Sequence, residues 1–215
     1  VAKNDNLLLY GGLAALGVFI LSTPEKAALP HVITPSGDNL TPSQFVKKYY
    51  PYALDSQKVT KVPALVTLAQ AGLESAYGKH AYGNNFFGIK AGSSWNGEIQ
   101  KLKTWECGKT SDEVIKMYAP YSEGSNPNCN AAGKTSYRVY GKFRAYPNAQ
   151  SGFVDHGEFL RDNKRYKAAF KYTEPSQFAV EIAKAGYATA PNYATILVQT
   201  IINIKKVLAA GGGSW

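Results

Sequence analysis

From residue 41 onward, apolar positions follow a helical rhythm at both ends of the chain and a strand rhythm in the middle. Thr41-Pro42-Ser43-Gln44 has the form of a helix start. A threonine can cap, a proline suits the first helical position, and a glutamine three residues on completes a capping box. The helix that follows carries Phe45, Tyr49 and Tyr52, with Pro51 as its kink point. Pro63 opens a second helix, in which Leu65, Leu68, Ala69, Gly72 and Ala76 recur at the spacing of a buried face. Gly78 is its expected stop. Residues 79–97 hold no period and are rich in Gly, Asn and aromatics, so they read as a loop. Segments 99–106 and 136–146 alternate in character, which predicts strands. The helical period returns from 149, with Phe153, Gly157 and Leu160, then Phe178, Ile182 and Ala185. A last helix, from Pro191, presents Ile196, Leu197, Thr200, Ile201, Ile204 and Leu208, and Gly211-Gly212-Gly213 ends it. Helices, then a small β-region, then helices predict an α+β domain.

The N-terminal stretch is a different material. Asn6 to Thr23 is 18 residues without a charge. As a helix it would be roughly 27 Å long, against a bilayer core of ~30 Å. An uncleaved membrane anchor is the reading adopted. A signal peptide is the second reading, but Asp5 nearly cancels Lys3, and Pro24-Glu25 stands where a cleavage site belongs. A buried core helix is the third. The chain is thus expected to divide into an apolar anchor or signal segment over 1–23 and a Pro-rich linker over 24–40. A mainly helical domain over 41–208 and a flexible tail over 209–215 complete it.

Composition sharpens this. A chain of 215 residues, 45% hydrophobic and 18% charged, can bury a core without staples or metals. The net charge is +9, and residues 1–30 sum to zero, so the whole excess lies beyond them. That suits a polyanionic partner. The basic residues are scattered and no nucleic-acid recognition motif appears, so nucleic acid is not the expected one. The three histidines share no ligand spacing and two cysteines cannot complete a zinc site, so no metal and no cofactor are expected. Two GKT triplets lack the glycine that a phosphate loop needs, since Lys103 and Asn128 stand in its place. Cys107 and Cys129 bound a polar, turn-rich excursion, 107–135, and read as a disulfide staple for an oxidising compartment. Such a bridge would contribute roughly 3 kcal/mol.

Glu74 is the residue that stands out. It closes an otherwise apolar helix where core meets loop, so partial desolvation would keep it protonated, as a general acid requires. The loop after it, Gly83-Asn84-Asn85-Phe86-Phe87-Gly88-Ile89-Lys90, and Trp95 beyond, combine amides with aromatic faces, the equipment of a carbohydrate cleft. A glycosidase usually needs a second carboxylate. Glu98, Glu106, Asp112, Glu113 and Asp155 are the candidates, Glu106 foremost because it ends the first strand beside Trp105.

Five segments in order carry a resemblance: LAQAGLESAYGK (68–79), GNNFFGIKA (83–91), KTWE (103–106), FRAYPNAQSGFVDHGEFL (143–160) and KAGYATAPNYA (184–194). Together they resemble glycoside hydrolase family 73, glucosaminidases of the autolysin and flagellar-rod hydrolase type. The resemblance spans about 42–208. It implies a lysozyme-like fold and hydrolysis of the β-1,4 bond after N-acetylglucosamine in peptidoglycan glycan strands. It also implies Glu74 as catalytic acid, Glu106 as second glutamate and Tyr193 as functional tyrosine. Tyr77, Asn85, Phe87, Gly88, Trp95 and Tyr187 are the expected substrate contacts. Ala190 departs from the family's usual Asp, Tyr77 from a common Trp, and the 107–135 insertion from a shorter connection. A second reading is a non-catalytic wall-binding module, including a membrane-associated phage virion component. Either way the domain is expected outside the cytoplasm, held to a membrane or secreted if the N-terminus is cleaved. Oligomeric state is not legible.

Overall fold

A computed structural model describes residues 39–108, 120–124 and 135–211, with backbone alone at 105–108, 120–124 and 135–138. Helix α1 (Pro42–Thr60) begins as its sequence implies. Gln44 N–H donates to Thr41 Oγ1 at 3.3 Å, and Thr41 N–H donates to Gln44 Oε1 at 2.9 Å. It runs through Pro51 and ends at Lys61 in the left-handed conformation. Helix α2 (Ala64–Glu74) follows, and every residue from Ala64 to Gly72 is buried. A helix apolar on all sides belongs at the centre of a fold. Here α1 and the two C-terminal helices all pack against it.

α2 stops at Glu74, four residues before the expected glycine. Ser75 is the reason. Its hydroxyl donates to Ala71 O at 2.5 Å and accepts from Gly78 N–H at 2.8 Å, while His80 N–H donates to Ser75 O at 2.9 Å. These bonds close a tight turn in which Ala76, Tyr77 and Gly78 all have positive φ (50°, 55° and 91°).

Among the described residues three antiparallel strands form the β-region: β1 (Ile99–Gly108), β2 (Pro120–Gly124) and β3 (Thr135–Arg144). Their order is β1-β3-β2, with Ile99 opposite Arg144 and Glu106 opposite Tyr137. β2 lies inside 107–135 and was not expected there. Helix α3 (Ala149–Asp162) is capped by Asn148, whose Oδ1 accepts from Ser151 N–H at 2.9 Å. Two 3-10 turns lead to α4 (Pro175–Lys184), and α5 (Tyr193–Ala210) completes the fold, starting two residues after Pro191. α1 and α3 meet closely at Gly157, where a Cβ would lie 2.5 Å from Thr60 Oγ1 and 2.8 Å from Ser56 Oγ.

The core is aromatic at one end, where Tyr49 stacks on Phe153 at 5.9 Å and meets Phe86 edge-on at 4.8 Å. Among the described residues α5 is the helix long and apolar enough to cross a membrane. Its face of Tyr193, Leu197, Thr200, Ile201 and Ile204 is buried, and α5 packs on α2 and α4, so it is a core helix. The Asn6–Thr23 span lies outside the described residues. So do Cys129 and the side chain of Cys107, and with them the expected disulfide.

Candidate active site

Glu74 is the last residue of α2, and its half-buried side chain faces a cleft of about 350 Å³. The turn after α2 supplies His80 and Tyr82 to the walls, the next loop Asn85 and Gly88, and β1 Gln100, Leu102 and Thr104. Desolvation pushes the Glu74 carboxyl up to about 8, so it holds its proton at neutral pH.

Behind Glu74 stands Tyr193, the first residue of α5, at 1% exposure. Its hydroxyl donates to Glu74 Oε1 at 3.3 Å and accepts from Gln70 Nε2 at 3.1 Å. The phenol bond favours the ionised carboxylate and so opposes the desolvation. Burial, reinforced by Glu74, holds the Tyr193 hydroxyl well above its ordinary value, so it stays a neutral donor. Tyr193 stacks on Tyr187, with ring centroids 5.7 Å apart and planes 17° from parallel. The Tyr187 hydroxyl lies 3.3 Å from His156 Nε2. His156 in turn stacks on Phe87 at 3.8 Å. Complete burial pushes the His156 imidazole down to about 3, so it is neutral.

The expected contacts divide. Asn85 and Gly88 line the cleft. Asn85 does so from a fully used amide: Nδ2 donates to Ile89 O and Arg144 O, and Oδ1 accepts from Ile89 N–H. Phe87 and Tyr187, expected at the substrate, are core residues at 2% exposure each, packed around His156 behind the acid. Tyr193, expected as a catalytic group, is buried as well and meets the cleft only through Glu74. Tyr77 sets its ring edge-on to Phe45 at 5.7 Å and against Gly72, and it does not line the cleft. Trp95 is spent on a clasp and is likewise absent from the cleft lining. The Arg144 guanidinium lies over its ring at 4.5 Å, and its indole N–H donates to Glu98 O at 2.9 Å.

Asp155 leaves the list of second carboxylates. It accepts two bonds from Arg144 Nη1 at 2.8 Å each and one from Tyr146 Oη at 2.7 Å, tying α3 to β3. Asp112, Glu113 and the side chain of Glu106 lie outside the described residues. The backbone of Glu106 belongs to β1, the strand that gives Gln100, Leu102, Lys103 and Thr104 to the cleft. Sequence reasoning missed Gln70, His156, His80 and Tyr82. Gln70 had a signal: a lone amide in an apolar helix, one turn before Glu74.

A mainly helical domain with an open cleft walled by a small antiparallel sheet, and a carboxyl at a helix end beside it, has the architecture of a lysozyme-like glycoside hydrolase. The chain belongs to the glucosaminidase family, described as mannosyl-glycoprotein endo-beta-N-acetylglucosaminidase, whose pattern matches residues 50–206. It is 32% identical over 174 residues to the peptidoglycan hydrolase FlgJ of Vibrio parahaemolyticus, covering 78% of this chain and 49% of the relative. To FlgJ of Salmonella typhimurium it is 30% identical over 195 residues, covering 87% and 52%. The chain thus spans about half the length of the curated relatives it matches. The glycoside hydrolase domain of Salmonella typhimurium FlgJ superposes with a TM-score of 0.60 at 26% identity, covering 80% of this chain and 94% of that one. A peptidoglycan hydrolase mutant from Sphingomonas sp. A1 gives 0.58 at 28% identity, covering 78% and 99%. The expected lysozyme-like α+β fold is the one observed.

Proposed function

We propose that the chain hydrolyses peptidoglycan at the β-1,4 bond after N-acetylglucosamine, with Glu74 as general acid. The observation that carries this is the Glu74 carboxyl facing the cleft with the Tyr193 hydroxyl behind it, in surroundings whose desolvation favours the protonated acid. The substrate class follows from the relatives, which are named as peptidoglycan hydrolases. In this reading Glu74 protonates the glycosidic oxygen as positive charge develops on the sugar ring. The carboxylate left behind is stabilised by Tyr193. Their bond spans 3.3 Å, and a phenol–carboxylate bond is typically about 2.6 Å, so it has room to shorten once Glu74 carries the charge. It is therefore stronger after proton transfer than before it, which is the condition for catalysis. Glu106 is the second group in this scheme, either activating water or stabilising the charge.

The net charge of +9 concentrates such an enzyme on an anionic wall polymer. Action on peptidoglycan places the domain outside the cytoplasm, and attachment through residues 1–23 is part of the same proposal. Purified cell walls test it. Wild-type protein clears their turbidity and releases muropeptides with reducing-end N-acetylglucosamine by mass spectrometry; Glu74→Gln does neither, with its unfolding midpoint no lower than that of the wild type. Near-wild-type clearing by Glu74→Gln overturns the acid assignment. Reducing-end or anhydro N-acetylmuramic acid overturns the bond assignment. Sedimentation with walls without new reducing ends points instead to a binding module.

A further inference from the structure

We propose that Gln70 is a positioning residue whose side-chain amide fixes the direction of the Tyr193 hydroxyl proton and thereby sets the acidity of Glu74. The inference deepens the proposed function and rests on its reading of Glu74 as the acid. A phenol oxygen has one proton to give and two lone pairs to fill. The Gln70 Nε2–H fills one of them at 3.1 Å. An N–H group can only donate, so the phenol proton is directed away from it, to Glu74 Oε1 at 3.3 Å. Donation into the phenol oxygen also polarises the O–H bond and strengthens what it gives onward. The amide therefore makes Tyr193 an obligate donor to Glu74, the arrangement that favours the carboxylate.

Two further observations separate this role from packing. Gln70 is fully buried on an apolar helix between Leu68-Ala69 and Ala71-Gly72. Its Oε1 has no hydrogen-bond partner among the described residues. A leucine or methionine would fill the space without stranding a carbonyl, so the amide is not there for stability. Nor is it needed to place the Tyr193 ring, which Tyr187 already holds by stacking. What remains for Gln70 is the proton. The other titratable groups around Glu74 are Tyr187 behind it and His80, Tyr82 and Lys103 on the cleft walls.

The test is Gln70→Met, alone and combined with Tyr193→Phe, with Gln70→Leu as a second replacement. The Glu74 carboxyl is titrated by carbon NMR, its signal assigned through Glu74→Gln, and the alkaline limb of wall lysis is measured beside it. Gln70→Met is expected to move both upward by about half a pH unit, roughly a threefold change in the ionisation constant. It is expected to leave the unfolding midpoint equal or higher and to add nothing in the Tyr193→Phe background. An unmoved titration with a lower midpoint overturns the proposal and makes Gln70 structural. An equal shift in both backgrounds overturns it, because the effect then bypasses the phenol. A downward shift overturns it too, since the amide carbonyl would then be facing the phenol. If the NMR shift appears in a protein that cleaves no walls, Gln70 keeps its role and the catalytic reading falls. If walls are cleaved and the titration does not move, the reverse holds.

Discussion

Glu74 is neutral at pH 7 for one reason and releasable for another. Burial holds the proton on, and the Tyr193 hydroxyl stabilises the charge that remains when it leaves. The two act against each other, so their balance has a sign that can be measured. Activity should fall as pH rises through about 8, where the acid form is lost. Tyr193→Phe removes the stabilisation of the carboxylate, so this limb should move upward. Turnover at pH 6 should drop roughly tenfold, the scale of a hydrogen bond to a charged group. A pH–rate profile of wall lysis checks both, and a limb that moves downward contradicts the arrangement. At this scale a residue's place at the cleft was legible in the sequence where it broke its local pattern. Glu74 did so, as a carboxylate ending an apolar helix. Phe87, Tyr187 and Trp95 did not. An aromatic residue in a loop looks the same whether it faces sugar, core or a guanidinium, and only the fold decides.

At the scale of elements, periodicity and capping residues carried most of the information. The Thr41 capping box, the helix α2 and the strands β1 and β3 stand where the pattern puts them, but α2 is buried on all sides instead of along one face, and Ala76, expected on that face, lies beyond its end and is exposed. Two features were hidden for physical reasons. The end of α2 depends on the Ser75 hydroxyl bonding both ways along the chain, which no period encodes. β2 is five residues containing both Pro120 and Gly124, and it is defined by the free edge of β3 rather than by its own composition. The meeting of α1 and α3 offers a clean test. Ser56 Oγ donates to Phe153 O and Thr60 Oγ1 donates to Ser56 O, each at 2.8 Å, so neither hydroxyl can turn aside without losing a bond. A methyl group at Gly157 would strike both. Gly157→Ala is therefore expected to cost about 1–3 kcal/mol by overpacking, read as a lower denaturant midpoint with an unchanged slope.

For the whole molecule the desolvated Glu74 carboxyl makes stability depend on pH. Glu74 is raised in the folded chain from an ordinary 4.5 to about 8. Between those values the folded state binds more protons than the unfolded one, so stability falls as pH rises and levels off above about 8. The loss from this group is about 2 kcal/mol between pH 5 and pH 7. Glu74→Gln should flatten that part of the curve and be the more stable protein at pH 8, which chemical denaturation across pH measures. A curve equally steep in the variant would assign the dependence elsewhere.

The acid and its phenol are also 119 residues apart in sequence. Tyr193 opens the last helix, and that helix is a partner of the apolar α2. A chain emerging from the ribosome, or one cut short before residue 193, carries Glu74 but neither its phenol nor a complete core. The contact between the two therefore forms only after α5 has been made and has packed on α2.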